Sequence, residues 1–326
     1  MQRPTPLHML IVILTVLLTV GAIHDFLSTP RRRLIIATTT SLYDTGILEE
    51  IKRAFEERYP IDIHFISVGT GLAIQHAKRG DADLILVHAP SMELAFLREG
   101  YGVNRKIFAY NFFVIVGPAE DPADVEGSNV TEALKKIVEA GRLNRARWVS
   151  RGDNSGTHLK EISLWTTAGF NWTALRGESW FMESGTGMGR TLLIANEREA
   201  YTLSDIGTYL KYSSGGLIEL RVLVDEAEEL INVYSAIAVD PRVVSNVNFE
   251  DAVTFIKFII SEDCQNLIQD YMRDVYGRSL FYPAVKLLKE NTDPRVAEWI
   301  RNYAYFNGTE CPPQYRYNHP ELYDDR

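Results

Sequence analysis

The stretch Leu34-Ile-Ile-Ala-Thr-Thr-Thr-Ser-Leu-Tyr-Asp-Thr-Gly46 joins an apolar run to a row of hydroxyl side chains. The run at 34–37 predicts a buried β-strand, and apolar residues at helical spacing from Ile47 to Phe55 predict a helix after it. One Ser or Thr is enough to cap a helix N-terminus, but four hydroxyls follow one another here, from Thr38 to Ser41. The surplus indicates that some of these hydroxyls face a ligand.

The alternation of strand and helix continues along the chain. Strands are predicted at 61–65, 84–87 and 111–117, with helical patterns between them, which is typical of an open, mostly parallel sheet covered by helices. A second alternating set follows, and the strand at 233–239 returns to the first set. The pattern predicts an α/β fold of two hinged lobes with a ligand cleft between them.

We expect four segments. Residues 1–33 form an N-terminal segment, residues 34–113 begin the first lobe, residues 114–233 form the second lobe, and residues 234–326 return to the first lobe with C-terminal helices.

The N-terminal segment is a membrane anchor or the core of a signal peptide, because Leu7 to Ile23 is almost entirely apolar. Arginines at 31–33 on its far side oppose the positive-inside tendency. Asn-x-Thr sequons at Asn129, Asn171 and Asn307 favour export, so we expect an extracytoplasmic protein.

Charge and composition argue against some classes of function. The 326-residue chain has a formal net charge of −9, which argues against nucleic-acid binding. Its seven histidines show no metal-ligand spacing, and His88 and His158 are expected to be structural or surface residues. The two cysteines, Cys264 and Cys311, either pair in an exported protein or are unrelated; the sequence leaves both alternatives open.

Three loops lie where a predicted strand ends and a helix begins: Thr38–Ser41, Gly69–Gly71 and Arg151–Thr157. Helix N-termini present unpaired N–H groups to anions, and an arginine can donate two hydrogen bonds to one oxyanion. Each loop also has a structural explanation, since Thr40 or Ser41 could cap a helix near Thr45 and Arg151 could pair with Asp153. The three loops together favour an anion site.

Six short motifs follow one another along the chain: TTTS at 38–41, VGTG at 68–71, GDADLILVHAP, RGDNSGTH, GTGMGRTL and AYTLSDIGTY. In these motifs the chain resembles the substrate-binding proteins of tungstate ABC transporters. The resemblance implies a periplasmic-binding-protein-like fold of type II, no catalysis, no cofactor and no metal site. It also implies a tungstate or molybdate ligand, delivery to a membrane permease and a monomeric protein.

Matching motifs carry the family's ligand contacts onto eight residues of this chain. They are Thr40, Ser41, Thr70, Arg151, Ser155, Thr157, Tyr201 and Thr202.

Two other functions stay open at this point. Asp44, Asp153 and Asp205 lie near the loops, and a carboxylate facing the ligand would repel tungstate but accept the proton of a phosphate. A phosphate- or sulfate-like ligand is therefore one alternative. An enzyme or ligand-sensing domain on the same fold is the other, although no acid–base pair or activated nucleophile is found.

Overall fold

The computed structural model of the protein describes residues 31–323, which fold into two α/β lobes. The strands of this part are β1 (Arg32–Thr39), β2 (Ile61–Val68), β3 (Leu84–Val87), β4 (Gly102–Gly117), β5 (Trp148–Ser150), β6 (Phe181–Glu183), β7 (Thr202–Asp205), β8 (Arg221–Val224), β9 (Ile231–Val239) and β10 (Tyr282–Pro283).

The α-helices between and after them are α1 (Thr40–Asp44), α2 (Ile47–Arg58), α3 (Thr70–Arg79), α4 (Pro90–Arg98), α5 (Val130–Arg142), α6 (Gly156–Thr167), α7 (Trp172–Leu175), α8 (Met188–Glu197), α9 (Ile206–Ser214), α10 (Phe249–Ile259), α11 (Glu262–Asp270), α12 (Arg273–Tyr276), α13 (Val285–Glu290) and α14 (Pro294–Ala304).

The sheet of the first lobe has the strand order β2-β1-β3-β9-β4-β10. Strand β1 is parallel to both β2 and β3, while β9 is antiparallel to β3 and β4. The carboxyl ends of β1, β2 and β3 therefore meet at one edge, where three chain segments leave the sheet together.

Strand β4 carries the sheet from the first lobe into the second. Its residues up to Phe112 pair with β9, and those from Phe113 to Gly117 pair with β7 and β8. The return strand β9 begins at Ile231, paired with Phe112. A separate parallel pair, β5 and β6, completes the second lobe, and β5 touches the residue before β7 through a bridge from Trp148 to Tyr201.

Strand β4 is longer than the sequence predicts, because its first half carries polar residues that break the apolar pattern. Residues from other parts of the chain satisfy them. Arg105 donates from Nε to Glu93 (2.8 Å), and Lys106 pairs with Glu310. The amide of Asn104 exchanges hydrogen bonds with the backbone of Tyr317.

Each lobe has its own packed interior. In the first, α2, α10 and α11 cover one sheet face with residues such as Phe55 and Phe255, whose rings meet edge-on at 5.3 Å. In the second, α5 and α6 enclose Trp148 and Trp165, at a ring separation of 5.0 Å.

Strand β1 begins at Arg32, two residues before the strand predicted at 34–37, and the exposed Arg31 and Arg32 pair with Asp62 and Asp251. The predicted anchor or signal core at 7–23 lies outside the described residues. Within residues 31–323, no helix is both long and apolar enough to span a bilayer.

Both cysteines are buried and unpaired, so the structure corresponds to the alternative of two unrelated thiols. Cys264 packs into the first-lobe interior from α11, while the Cys311 thiol lies 3.7 Å from the carbonyl oxygen of Tyr315. Burial raises the pKa of Cys264 to about 12, which keeps this thiol protonated at neutral pH.

Candidate anion-binding site

The first-lobe loops begin where β1 and β2 end. Thr39 lies opposite Val68 across the parallel pair, so the start of α1 and the start of α3 are neighbours. Thr39 caps α1, accepting the N–H of Leu42 at 3.3 Å. Thr39 is therefore the N-cap residue of α1. The predicted residues Thr40 and Ser41 are the first two residues of this helix, and their hydroxyls do not cap it.

The second-lobe loop follows β5 and contains Arg151, whose side chain is only 2% exposed. Its Nη2 donates to Oδ2 of Asp153, and the other carboxylate oxygen accepts the N–H of Ser155 at 3.1 Å. Ser155 caps α6 by accepting the N–H of His158 at 3.3 Å. Arg151 thus pairs with Asp153, and Ser155 caps α6, which are structural roles. These contacts use only some of the N–H groups of the Arg151 guanidinium.

Several buried polar atoms at the ends of these loops have no hydrogen-bond partner. Of the eight such side-chain atoms in the described part of the chain, five lie here: Thr38 Oγ1, Thr70 Oγ1, Arg151 Nε, Thr157 Oγ1 and His158 Nε2. Leaving a buried donor unpaired costs about 1–3 kcal/mol. A group of three hydroxyls and a guanidinium N–H is matched by an anion, which accepts hydrogen bonds and donates none. Thr38 and His158 were not predicted as ligand residues.

The two lobes touch around these loops. Gly156, the first residue of α6, lies against the ring of His88, which follows β3; a Cβ on this glycine would stand 2.9 Å from Cε1 of the ring. On the other side of the cleft, Lys211 of α9 donates to the carbonyl oxygen of Asp44. Ser41 of α1 and Gly156 of α6 therefore contact the same histidine ring, and the lobes are closed on each other at this point.

Of the three carboxylates near the site, two are paired within the protein and one is exposed. Both oxygens of Asp205 accept from Thr208, one from its N–H and one from its hydroxyl, each at 2.8 Å. Asp153 is used by Arg151 and Ser155, and Asp44 is exposed. Burial raises the pKa of Asp205, while the positive charge of Arg151 acts in the opposite direction. The same charge opposes the effect of burial on the pKa of Asp44 and helps burial to lower the pKa of His88, so it also acts on groups of the first lobe.

Tyr201 and Thr202, also taken from the resemblance, have hydroxyls that are paired within the second lobe. The Tyr201 hydroxyl donates to Asp121 (2.6 Å) and accepts the N–H of Ala123 (2.9 Å). Thr202 donates to the carbonyl oxygen of Val149 at 2.6 Å. Both hydroxyls use their hydrogen inside the second lobe, which distinguishes them from the unpaired hydroxyls of Thr38, Thr70 and Thr157.

Glu161 supports the Arg151 loop from behind and was missed by the sequence reasoning. Its Oε1 accepts from the indoles of Trp148 (2.7 Å) and Trp165 (3.4 Å), and its Oε2 accepts from Ser150 (2.9 Å) and from the N–H of Arg151 (3.4 Å). Burial raises its pKa to about 7, and these donors act in the opposite direction. An acidic residue on the apolar face of α6 was the available signal.

The described residues contain no group of three or more His, Cys, Asp or Glu side chains arranged to hold a metal ion. The unpaired hydroxyls and the guanidinium N–H at this place are hydrogen-bond donors, which suit an anion and not a metal cation.

Comparison with known proteins points in the same direction. Residues 27–263 match a family model described as a PBP superfamily domain. The tungstate-binding protein TupA of Peptoclostridium acidaminophilum is 40% identical over 253 residues, which are 77% of this chain and 85% of that protein. TupA of Campylobacter jejuni subsp. jejuni is 35% identical over 249 residues, 76% of this chain and 89% of that protein. The structure of TupA from Desulfovibrio alaskensis G20 matches with a TM-score of 0.67 at 40% identity, covering 77% of this chain and 98% of that one.

Proposed function

We propose that this chain, which belongs to the periplasmic-binding-protein superfamily and to the same family as the TupA proteins, captures tungstate between its lobes and delivers it to an ABC transporter. The observation that carries the proposal is the group of buried, unpaired donors on both sides of one closed cleft. The relatives are substrate-binding proteins and not enzymes, which supports a binding role without catalysis.

The proposed contacts combine predicted residues with one that the structure adds, Thr38. Three buried hydroxyls would donate to the anion: Thr38, Thr70 and Thr157. Arg151 would donate from Nε, and the backbone N–H groups that open α1 and α6 would complete the shell around Thr40, Ser41 and Ser155. Tungstate and molybdate are both fully deprotonated tetrahedral anions, and this donor set suits either of them.

We propose that the lobes close as hinged bodies on the strands that connect them, β4 and β9, with segments 34–113 and 234–326 in one body and 114–233 in the other. The protein is proposed to act as a monomer outside the cytoplasm and to meet a permease in the membrane. Exposed asparagines at the sequons 129, 171 and 307 are compatible with that location.

Calorimetric titration of the purified protein with tungstate, molybdate, sulfate and phosphate tests the proposal. We expect tungstate or molybdate to bind much more tightly than the other two anions. Tightest binding of phosphate would favour the alternative ligand class. Absence of binding for all four anions would overturn the proposal.

A further inference from the structure

A line of buried hydrogen bonds leads from the connecting strands to the cleft. The side-chain amide of Asn111 donates to the carbonyl oxygen of Leu280 (3.2 Å), and the amide of Asn232 donates to Oδ1 of Asn111 (2.9 Å). Oδ1 of Asn232 faces Nδ1 of His88 at 2.9 Å. Because a backbone carbonyl can only accept, the Leu280 oxygen sets the direction of every donor in the line. Nδ1 of His88 therefore carries the hydrogen.

The other ring nitrogen of His88 is then a hydrogen-bond acceptor. His88 is 2% exposed, and burial lowers its pKa to about 4, helped by the charge of Arg151, so the ring is neutral at neutral pH. A neutral imidazole with hydrogen on Nδ1 has a lone pair on Nε2. This lone pair lies beside Ser41 of α1 and Gly156 of α6.

The hydroxyl of Ser41 is the hydrogen-bond partner of that lone pair. Its Oγ lies 3.4 Å from Nε2 of His88 and 3.3 Å from Oγ1 of Thr39. Since Nε2 cannot donate, the hydroxyl hydrogen of Ser41 must be the one between them. The contribution of Ser41 to the anion is then its backbone N–H, and its hydroxyl is turned to the histidine.

We propose that Ser41 and His88 together set the preference of this site for fully deprotonated anions over anions that carry a proton. The inference rests on the proposed function, oxyanion binding in this cleft. A hydrogen phosphate needs an acceptor for its own O–H group, and a buried O–H without one is disfavoured. Both oxygens of Asp153 and of Asp205 already accept from protein donors, and Asp44 is exposed, so none of these carboxylates offers a free buried oxygen. A threonine hydroxyl that accepted the proton would leave its own hydrogen without a partner. With Ser41 in place, the Nε2 acceptor is withheld as well.

The variant Ser41→Ala tests this assignment, because it removes the hydroxyl that occupies the lone pair of His88 and keeps the backbone N–H of residue 41. Affinities for sulfate and phosphate are measured at neutral pH by displacement of bound tungstate. The two anions are similar in size, but only phosphate carries a proton. We expect the ratio of phosphate to sulfate affinity to rise about fivefold or more in Ser41→Ala, the effect of one hydrogen bond.

Two further variants make the test specific. Thr40→Ala removes a neighbouring hydroxyl of the same loop and leaves Ser41 on His88, so the ratio of phosphate to sulfate affinity should stay at the value of the parent. In Ser41→Ala/His88→Asn, the shorter side chain keeps a donor for Asn232 and places no acceptor where Nε2 lies, so the gain for phosphate should vanish.

The inference is overturned if the phosphate-to-sulfate ratio is unchanged in Ser41→Ala, or if Thr40→Ala shifts it equally. It is also overturned if the double variant keeps the gain. A different result would show that the proposed function itself is wrong: the parent protein would then bind no tungstate.

Discussion

At the scale of single residues, the guanidinium of Arg151 is only partly paired within the protein. Nη2 pairs with Asp153, while Nε is buried without a partner. Because a hydrogen bond to a charged group contributes roughly 1.5–3 kcal/mol, Arg151→Ala should weaken tungstate binding about tenfold or more. Arg151→Lys should recover only part of the affinity, since it keeps the charge and loses the planar donor set. Calorimetric titration measures both.

Arg147 provides the matched control for the loss of a positive charge. It is exposed at the start of the same strand region and donates to the carbonyl oxygen of Arg198, so Arg147→Ala should leave affinity unchanged. If Arg151→Ala lowers the melting temperature but binds tungstate like the parent, Arg151 only braces its own loop against Asp153.

Glu161 makes stability depend on pH. Its pKa rises from 4.5 to about 7 on folding, so folding takes up a proton between these values. Its contribution to the free energy of unfolding is therefore fully present below about pH 4.5 and is lost as pH rises through 7. The change in this contribution should be about 1–3 kcal/mol.

Denaturant unfolding of the parent and of Glu161→Gln at pH 5 and pH 8 checks this expectation. The glutamine does not titrate, so the parent should lose more stability than the variant between the two values. The titrations of His88 and Lys160 are shared by both proteins and cancel in the comparison. A parent-minus-variant difference that is the same at both pH values would contradict the assignment.

At the scale of elements, closure brings the N-terminus of α6 onto the ring of His88, and Gly156 makes this contact possible. In Gly156→Ala the new Cβ would lie 2.9–3.2 Å from three ring atoms, and the ring is held by its hydrogen bond to Asn232. We expect the variant to fold normally and to bind tungstate about tenfold more weakly, since closure must displace α6 or the ring.

Solution scattering with and without tungstate, together with titration, separates an effect on closure from an effect on folding. The parent should become more compact on binding, and Gly156→Ala should do so less. Gly187→Ala is the control, because Gly187 precedes α8 and a Cβ there meets nothing within 4 Å. Parent-like affinity in Gly156→Ala would show that the bound form does not close on His88.

At the scale of the whole molecule, the first lobe should fold without residues 1–30. A protein starting at Arg31 keeps the pairs to Asp62 and Asp251 and the bond from the Arg32 N–H to the carbonyl oxygen of Pro60 (3.1 Å). One starting at Leu34 loses them and should be less stable by about 1–2 kcal/mol, because exposed ion pairs contribute little.

Denaturant titration compares the two shortened proteins, and both should bind tungstate. Insolubility of the protein that starts at Arg31, or loss of its oxyanion binding, would mean that the preceding residues belong to the fold.

The sequence by itself determined the alternation of strands and helices and the position of the three loops at strand ends. These follow from local periodicity and from the rule that parallel strands end at a common edge. It also indicated an anion as ligand, because hydroxyls, glycines and Arg151 recur at those ends.

Only the tertiary structure decided which of these side chains are paired within the protein and which are buried without a partner. Thr39 turned out to cap α1, the Thr38 hydroxyl is buried without a partner, and the Tyr201 hydroxyl is used by Asp121. The polar start of β4 became a strand because Glu310, about two hundred residues further along, accepts from Lys106. In each case the deciding partner is distant in sequence or depends on side-chain direction, and local patterns carry no information about either.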